Sequence, residues 1–168
     1  MGKKIFTFSL ALVAISVLAL SCSSGGVSKS GSRDTTYERT LGTTTAVEFK
    51  RNVPLIFSRY QFETYRAEES VDQIYFESRW KERYPFQDEL TAGAVKAQTR
   101  IIVTSRPRYR DKSGYGKVQK VFFTAENQVV LQGTEGWQEF PITDMCLDYI
   151  KKIAGDLELE MKSGIQEF

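Results

Sequence analysis

The chain has 168 residues, 23 basic and 21 acidic side chains, two cysteines and no histidine. The missing imidazole excludes Ser-His-Asp and Cys-His catalysis, histidine general bases and histidine-containing zinc sites. Paired carboxylates or a Ser-Lys pair remain chemically open, and the composition points to no cofactor.

The chain opens Met1-Gly2-Lys3-Lys4, a short positive run, followed by Ile5 to Leu20 with no charge and mostly apolar side chains. A positive start, an apolar centre and small residues at its end read as a secretory signal. The 16 residues of the apolar stretch fall short of a spanning helix, and Thr7, Ser9 and Ser16 interrupt it. Phe6 stands where N-myristoylation needs Ser or Thr.

The stretch Leu18-Ala19-Leu20-Ser21-Cys22 resembles the lipobox of bacterial lipoprotein signal peptides. Ser21 supplies the small residue before the cysteine. Ala19 stands where a leucine is usual, with Leu18 one step further out. The resemblance implies cleavage after residue 21, a diacylglycerol on the Cys22 sulfur and an amino terminus open to a third acyl chain. Each buried methylene contributes about 0.8 kcal/mol, so two or three chains anchor firmly. Ser23 follows the cysteine. In enteric lipoproteins an aspartate there favours retention in the inner membrane, so the resemblance implies the outer membrane, facing the periplasm.

Removal of residues 1–21 takes Lys3 and Lys4 away and leaves 147 residues with 21 basic and 21 acidic side chains. That balance gives no argument for nucleic acid. With Cys22 lipidated, Cys146 has no partner in the chain for a disulfide, and its place on a helix makes it a buried small apolar residue. Residues 22–36 hold the lipidated cysteine and a Gly/Ser/Thr-rich tether, with a root-mean-square span of roughly 20 Å. Residues 37–168 form the single domain, long enough to bury a core.

Within the domain, Tyr37 to Leu41 suits a short strand. Thr45-Ala46-Val47-Glu48 has the capping-box spacing, and Phe49, Val53, Ile56, Phe57 and Tyr60 recur with helical period, predicting a helix within 45–60. Pro54 either kinks this helix or marks its true start. The segment 60–69 fits helix or strand. Alternation from Val71 to Lys81 predicts a strand with Ile74, Phe76, Ser78 and Trp80 on one face, which puts Trp80 in the core. Residues 85–94 read as a loop or one helical turn. A strand over Ala97 to Arg106 and another over Val118 to Ala125 make a long hairpin around 107–116. A turn is expected near Glu126-Asn127, with a further strand over Gln128 to Gln132.

The last helix is capped by Thr143 or Asp144, carries Cys146, Tyr149, Ile150, Ile153, Leu157 and Met161 on one face, and stops at Gly164. The sum is an α+β fold: a two-layer domain with an antiparallel sheet of three to four strands, an N-terminal helix and a C-terminal helix.

Three features carry functional readings. Arg106, Arg108, Tyr109, Arg110, Lys112 and Tyr115 interleave cations with aromatics on the hairpin, suited to phosphate, acidic glycan or acidic protein. The plain alternative is a charged, solvated loop. Arg59, Glu63, Arg66, Glu68, Glu77, Arg79 and Glu82 suit ion pairs on a wet sheet face, or an acid–base carboxylate pair. Trp137, following Gly133 and Gly136, is the tryptophan placed for recognition.

The expected function is a lipid-anchored envelope protein that binds or scaffolds an envelope protein partner without catalysis. Two other readings stand beside it: a carboxylate-dependent hydrolase of envelope glycans, and a carrier for a hydrophobic ligand.

Overall fold

The computed structural model describes residues 34–108 and 118–163, all within one compact unit spanning 31–168. The fold is α+β, with helices beside an antiparallel sheet. Strand β1 (Thr36–Thr44) leads into helix α1 (Ala46–Arg59), then β2 (Thr64–Glu69), β3 (Ile74–Ser78) and β4 (Lys81–Arg83). Helix α2 (Gln87–Thr91), β5 (Ala94–Pro107), β6 (Gln119–Leu131), β7 (Gln138–Glu139) and helix α3 (Asp144–Ser163) complete the chain.

Among the described residues the sheet has seven strands, in the order β1-β6-β5-β3-β2, with β4 on β5 and β7 on β6. The expected three or four strands were too few, for identifiable reasons. The anticipated turn at Glu126-Asn127 is the middle of β6, with Glu126 opposite Arg100 and Asn127 opposite Thr99. The polar run looked like a turn because each of its side chains has a partner far away in sequence. The strand expected over 71–81 divides between Ser78 and Lys81, and its two parts pair with different stretches of β5. Trp80 therefore leaves the phase of Ile74 and Phe76 and lies half-buried outside the core cluster. The ambiguous 60–69 segment becomes the C-cap of α1, a left-handed Gln61 at φ 57°, and β2.

Local signals act as anticipated in both long helices. The Glu48 amide donates to Thr45 Oγ1 at 3.1 Å, although the Glu48 carboxylate pairs with Arg51 rather than closing the capping box. Helix α1 runs through Pro54. Thr143 Oγ1 accepts from the Cys146 amide at the start of α3; Gly164 lies outside the described residues. In β1, Thr40 and Gly42 face consecutive β6 residues, so Leu41 is bulged and enters the core, with Gly42 at φ 111°.

Phe49, Val53, Ile56 and Phe57 of α1 and Ile150, Ile153 and Leu157 of α3 form one core with Ile101 and Val103 of β5 and Val121 and Phe123 of β6. Each such side chain contributes about 1.5–3 kcal/mol by leaving water. Polar ties join the helices across this core: Asn52 Nδ2 donates to the Glu160 carbonyl at 3.0 Å, and the Tyr60 hydroxyl donates to Asp156 at 2.6 Å. Burial first, then that carboxylate, pushes the Tyr60 phenol up to about 12. Among the described residues, no helix is long and apolar enough to cross a membrane.

Candidate binding face

Alternation along β5 and β6 sends every second side chain away from the core. Arg100, Ile102, Thr104 and Arg106 of β5 stand opposite Glu126, Thr124, Phe122 and Lys120 of β6. Glu38 and Thr40 of β1 extend these rows on one side; Tyr75 and Glu77 of β3, then Arg66 and Glu68 of β2, extend them on the other. Phe122, Ile102 and Tyr75 remain half-buried on this face.

Its centre is a connected set of charges. Arg100 Nη1 donates to Glu77 at 2.8 Å, its Nη2 donates to Glu126 at 2.5 Å, and its guanidinium lies 4.7 Å from the Trp80 ring centre. The Tyr75 hydroxyl donates to Glu77 at 2.8 Å, and Arg66 lies 5.2 Å from the Tyr75 ring while pairing with Glu68 at 2.6 Å. Burial first, then the Glu77 carboxylate, pushes the Tyr75 phenol up to about 12. Arg66 holds the Glu68 carboxyl below its ordinary value. The expected ion pairs form only in part on the sheet: Glu77 pairs across strands with Arg100 and Glu63 with Arg79 at 3.6 Å, whereas Arg66 and Glu68 pair within β2 and Arg59 of α1 pairs with Glu160 of α3 at 2.6 Å.

Among the described residues, the carboxyls of Glu68, Asp88 and Glu158 are displaced downward. A general acid working near neutrality needs the opposite displacement. Among the described residues, no three metal-ligating side chains come together.

At the hairpin end of the face, Arg106 and Lys120 are direct cross-strand neighbours. Both reach the same ring: Arg106 lies 5.8 Å and Lys120 5.1 Å from the centre of Phe122. Among the described residues, neither pairs with a carboxylate. A surface groove of about 510 Å³ borders this cluster, lined by Glu38, Arg39 and Thr40 of β1, Thr104 and Arg106 of β5, and Phe122, Phe123 and Thr124 of β6, so both signs of charge face it.

Of the residues singled out from sequence, Arg106 and Arg108 sit exposed where β5 ends, and the Arg108 amide donates to the Val118 carbonyl at 2.9 Å. Tyr109, Arg110, Lys112 and Tyr115 lie outside the described residues, as does Cys22. Trp137 is 36% exposed just before β7. It lies beyond the opposite end of β6, so Trp137 and Arg106 do not share a site. Lys120 and Phe122 went unnoticed because a lone lysine and phenylalanine on a strand carry no signal until β5 supplies Arg106.

A second polar cluster lies on the core side, and no sequence pattern announces it. Arg83 forms a two-armed ion pair with Glu89, both arms at 2.7 Å. Arg83 Nη2 also donates to Asn127 Oδ1 at 2.9 Å, and Asn127 Nδ2 donates to Glu89 Oε1 at 2.9 Å. Burial pulls the Arg83 guanidinium down, but the Glu89 hydrogen bonds outweigh it and its pKa ends above the ordinary value. Cys146 Sγ lies 3.4 Å from Arg83, and burial pushes its thiol up to about 12. A thiol so placed is an inert packing group, not a nucleophile. Glu89 is 0% exposed, so this cluster fastens α2 and β4 to the sheet and offers nothing to a ligand.

No family model matches the chain, and no curated protein matches it.

Proposed function

We propose that this is a lipoprotein of the bacterial cell envelope, anchored through Cys22 and binding a protein partner without catalysing a reaction. In this reading residues 1–21 are the signal, 22–36 the lipidated cysteine and tether, and 37–168 a two-layer domain with its helices on one side of the sheet. The anchor sits in the outer membrane, the domain faces the periplasm, and nucleic acid is not a partner. The lipobox-like residues Leu18 to Cys22 support the anchor.

The observation that carries the binding role is the half-exposed sheet face, where arginines lie over aromatic rings and acids are already paired. Arginine and aromatic side chains are the groups most enriched where proteins recognise one another. The glycan hydrolase reading is weaker because acids locked to arginines cannot shuttle protons. The carrier reading is weaker because Phe49, Val53, Ile56, Ile150, Ile153 and Leu157 of the helices are buried in one cluster with Ile101, Val103, Val121 and Phe123 of the sheet.

The test is affinity purification from membranes of the native chain beside Cys22→Ala. The expected result is that the native chain fractionates with membranes and brings down a defined envelope protein, while Cys22→Ala leaves the membrane fraction. Equal membrane association of both chains would remove the lipid anchor. A native chain that purifies alone would remove the binding role.

A further inference from the structure

Strand β2 ends the sheet, and among the described residues nothing pairs with its outer edge. All six of its side chains are exposed. The hairpin to β3 closes where the Ser70 amide donates to the Gln73 carbonyl at 2.8 Å. Hydrogen-bonding direction alternates along an antiparallel strand. Glu68 opposite Tyr75 and Arg66 opposite Glu77 therefore bond inward to β3, while Ala67 turns its amide and carbonyl to the free edge. The irregularity between Thr64 and Arg66 leaves residues 66–69 in regular register.

An open edge is commonly guarded by unbalanced charge. On β2 the charges balance: Arg66 pairs with Glu68 at 2.6 Å, and Glu69 pairs with Lys50 of α1 at 3.1 Å. Their order along the strand, Arg66-Ala67-Glu68, is also self-complementary. About a two-fold axis at Ala67, two antiparallel copies of the strand set Ala67 against Ala67, where the free amide and carbonyl of each copy meet. Arg66 then stands opposite Glu68 of the second copy, and Glu68 opposite its Arg66. A slide of two positions sets Arg66 against Arg66 or Glu68 against Glu68, which like-charge repulsion disfavours. A slide of one position brings the outward amides against residues already bonded to β3.

We infer that β2 is a self-pairing edge: two copies of this chain join β2 to β2, antiparallel about Ala67, into one continuous sheet with Arg66 and Glu68 of both copies on one face. Strand addition of this kind takes its affinity from main-chain hydrogen bonds and its register from the side chains. The pairing rests on neither the lipid anchor nor the envelope partner proposed above.

The test is oxidative cross-linking of the full chain in non-ionic detergent. Cys22→Ala removes one thiol, and Cys146 is buried, so an introduced cysteine supplies the reactive one. In Ala67→Cys the two copies would meet as a hydrogen-bonded pair with Cα atoms about 5.5 Å apart, within disulfide reach. In Thr64→Cys they would lie six positions out of register, about 20 Å apart along the strand. The expected result is a covalent dimer from Ala67→Cys and none from Thr64→Cys. Adding Arg66→Glu to Ala67→Cys should slow dimer formation about tenfold, because the symmetry counts each repulsion twice. Arg66→Glu together with Glu68→Arg should restore it. Circular dichroism identifies any variant that has unfolded. Equal cross-linking at residues 64 and 67, no cross-linking at either, or a folded charge-swapped chain that does not regain its dimer would overturn the proposal.

Discussion

Glu89 and Arg83 face each other across 2.7 Å in two parallel hydrogen bonds, with the Glu89 side chain wholly out of water. A buried ion pair gains little over apolar packing, yet losing one member strands the other. Glu89→Ala should therefore cost about 3–5 kcal/mol, and Arg83→Met with Glu89→Leu should recover much of that loss. Urea denaturation of Arg83→Met, Glu89→Leu and the double variant measures the coupling. A Glu89→Ala variant as stable as the parent would show that α2 is not held by this pair.

The opposed cations on the binding face imply a stability cost that can be relieved. Lys120→Glu places an acid opposite Arg106 and should raise stability by roughly 0.2–1 kcal/mol. A gain in the denaturation midpoint would show that the two cations repel across the ladder. A fall in the midpoint would show that Lys120 contributes more by lying over Phe122 than it costs by repulsion.

Cys146 is fully buried beside Arg83, with its thiol pushed up to about 12 by burial. In a Cys22→Ala background, where it is the sole thiol, it should resist an aromatic disulfide reagent at mildly alkaline pH until denaturant is added. Rapid labelling of the folded chain would mean that α3 opens readily at its first turn.

Asp88 links the short helix to the long one, accepting from the Met145 amide at 2.9 Å. Burial alone would raise its carboxyl, but hydrogen bonds from Met145 and Thr143 bring it below the ordinary value. A group whose folded pKa is depressed stabilises above its unfolded value of about 3.9 and loses that contribution as pH falls through the folded pKa. The stability advantage of the native chain over Asp88→Ala should accordingly be full at neutral pH and vanish in acid. Urea titrations across that range measure it, and a pH-independent difference would remove the carboxylate from the account.

Among the described residues, the hydroxyls of Thr44 and Ser105 are buried without a hydrogen-bond partner. An unpaired buried hydroxyl is costly, and an apolar replacement of similar shape removes the penalty. Thr44→Val and Ser105→Ala should each leave stability unchanged or raise it by about 1 kcal/mol. A clear loss in thermal unfolding would indicate that an ordered water satisfies these oxygens.

The sequence by itself determined the features that depend on near neighbours. The helical period from Phe49 to Tyr60, the Thr45 and Thr143 caps and the alternation along β5 each lie within a few bonded turns, and each appears in the structure. The α+β class follows from those elements. What only the tertiary structure decided is where polar side chains go. Asn127 reads as a turn residue until Glu89, 38 positions away, and Arg83, 44 positions away, bury it inside β6. Trp80 reads as core until the break after β3 turns it toward Arg100. Arg106 reads as one more loop cation until β6 sets Lys120 directly opposite it. Periodicity records which side of an element faces water, because that is a local property of the backbone. Hydrogen bonds and opposed charges between distant segments exist only once folding has fixed the register that joins them.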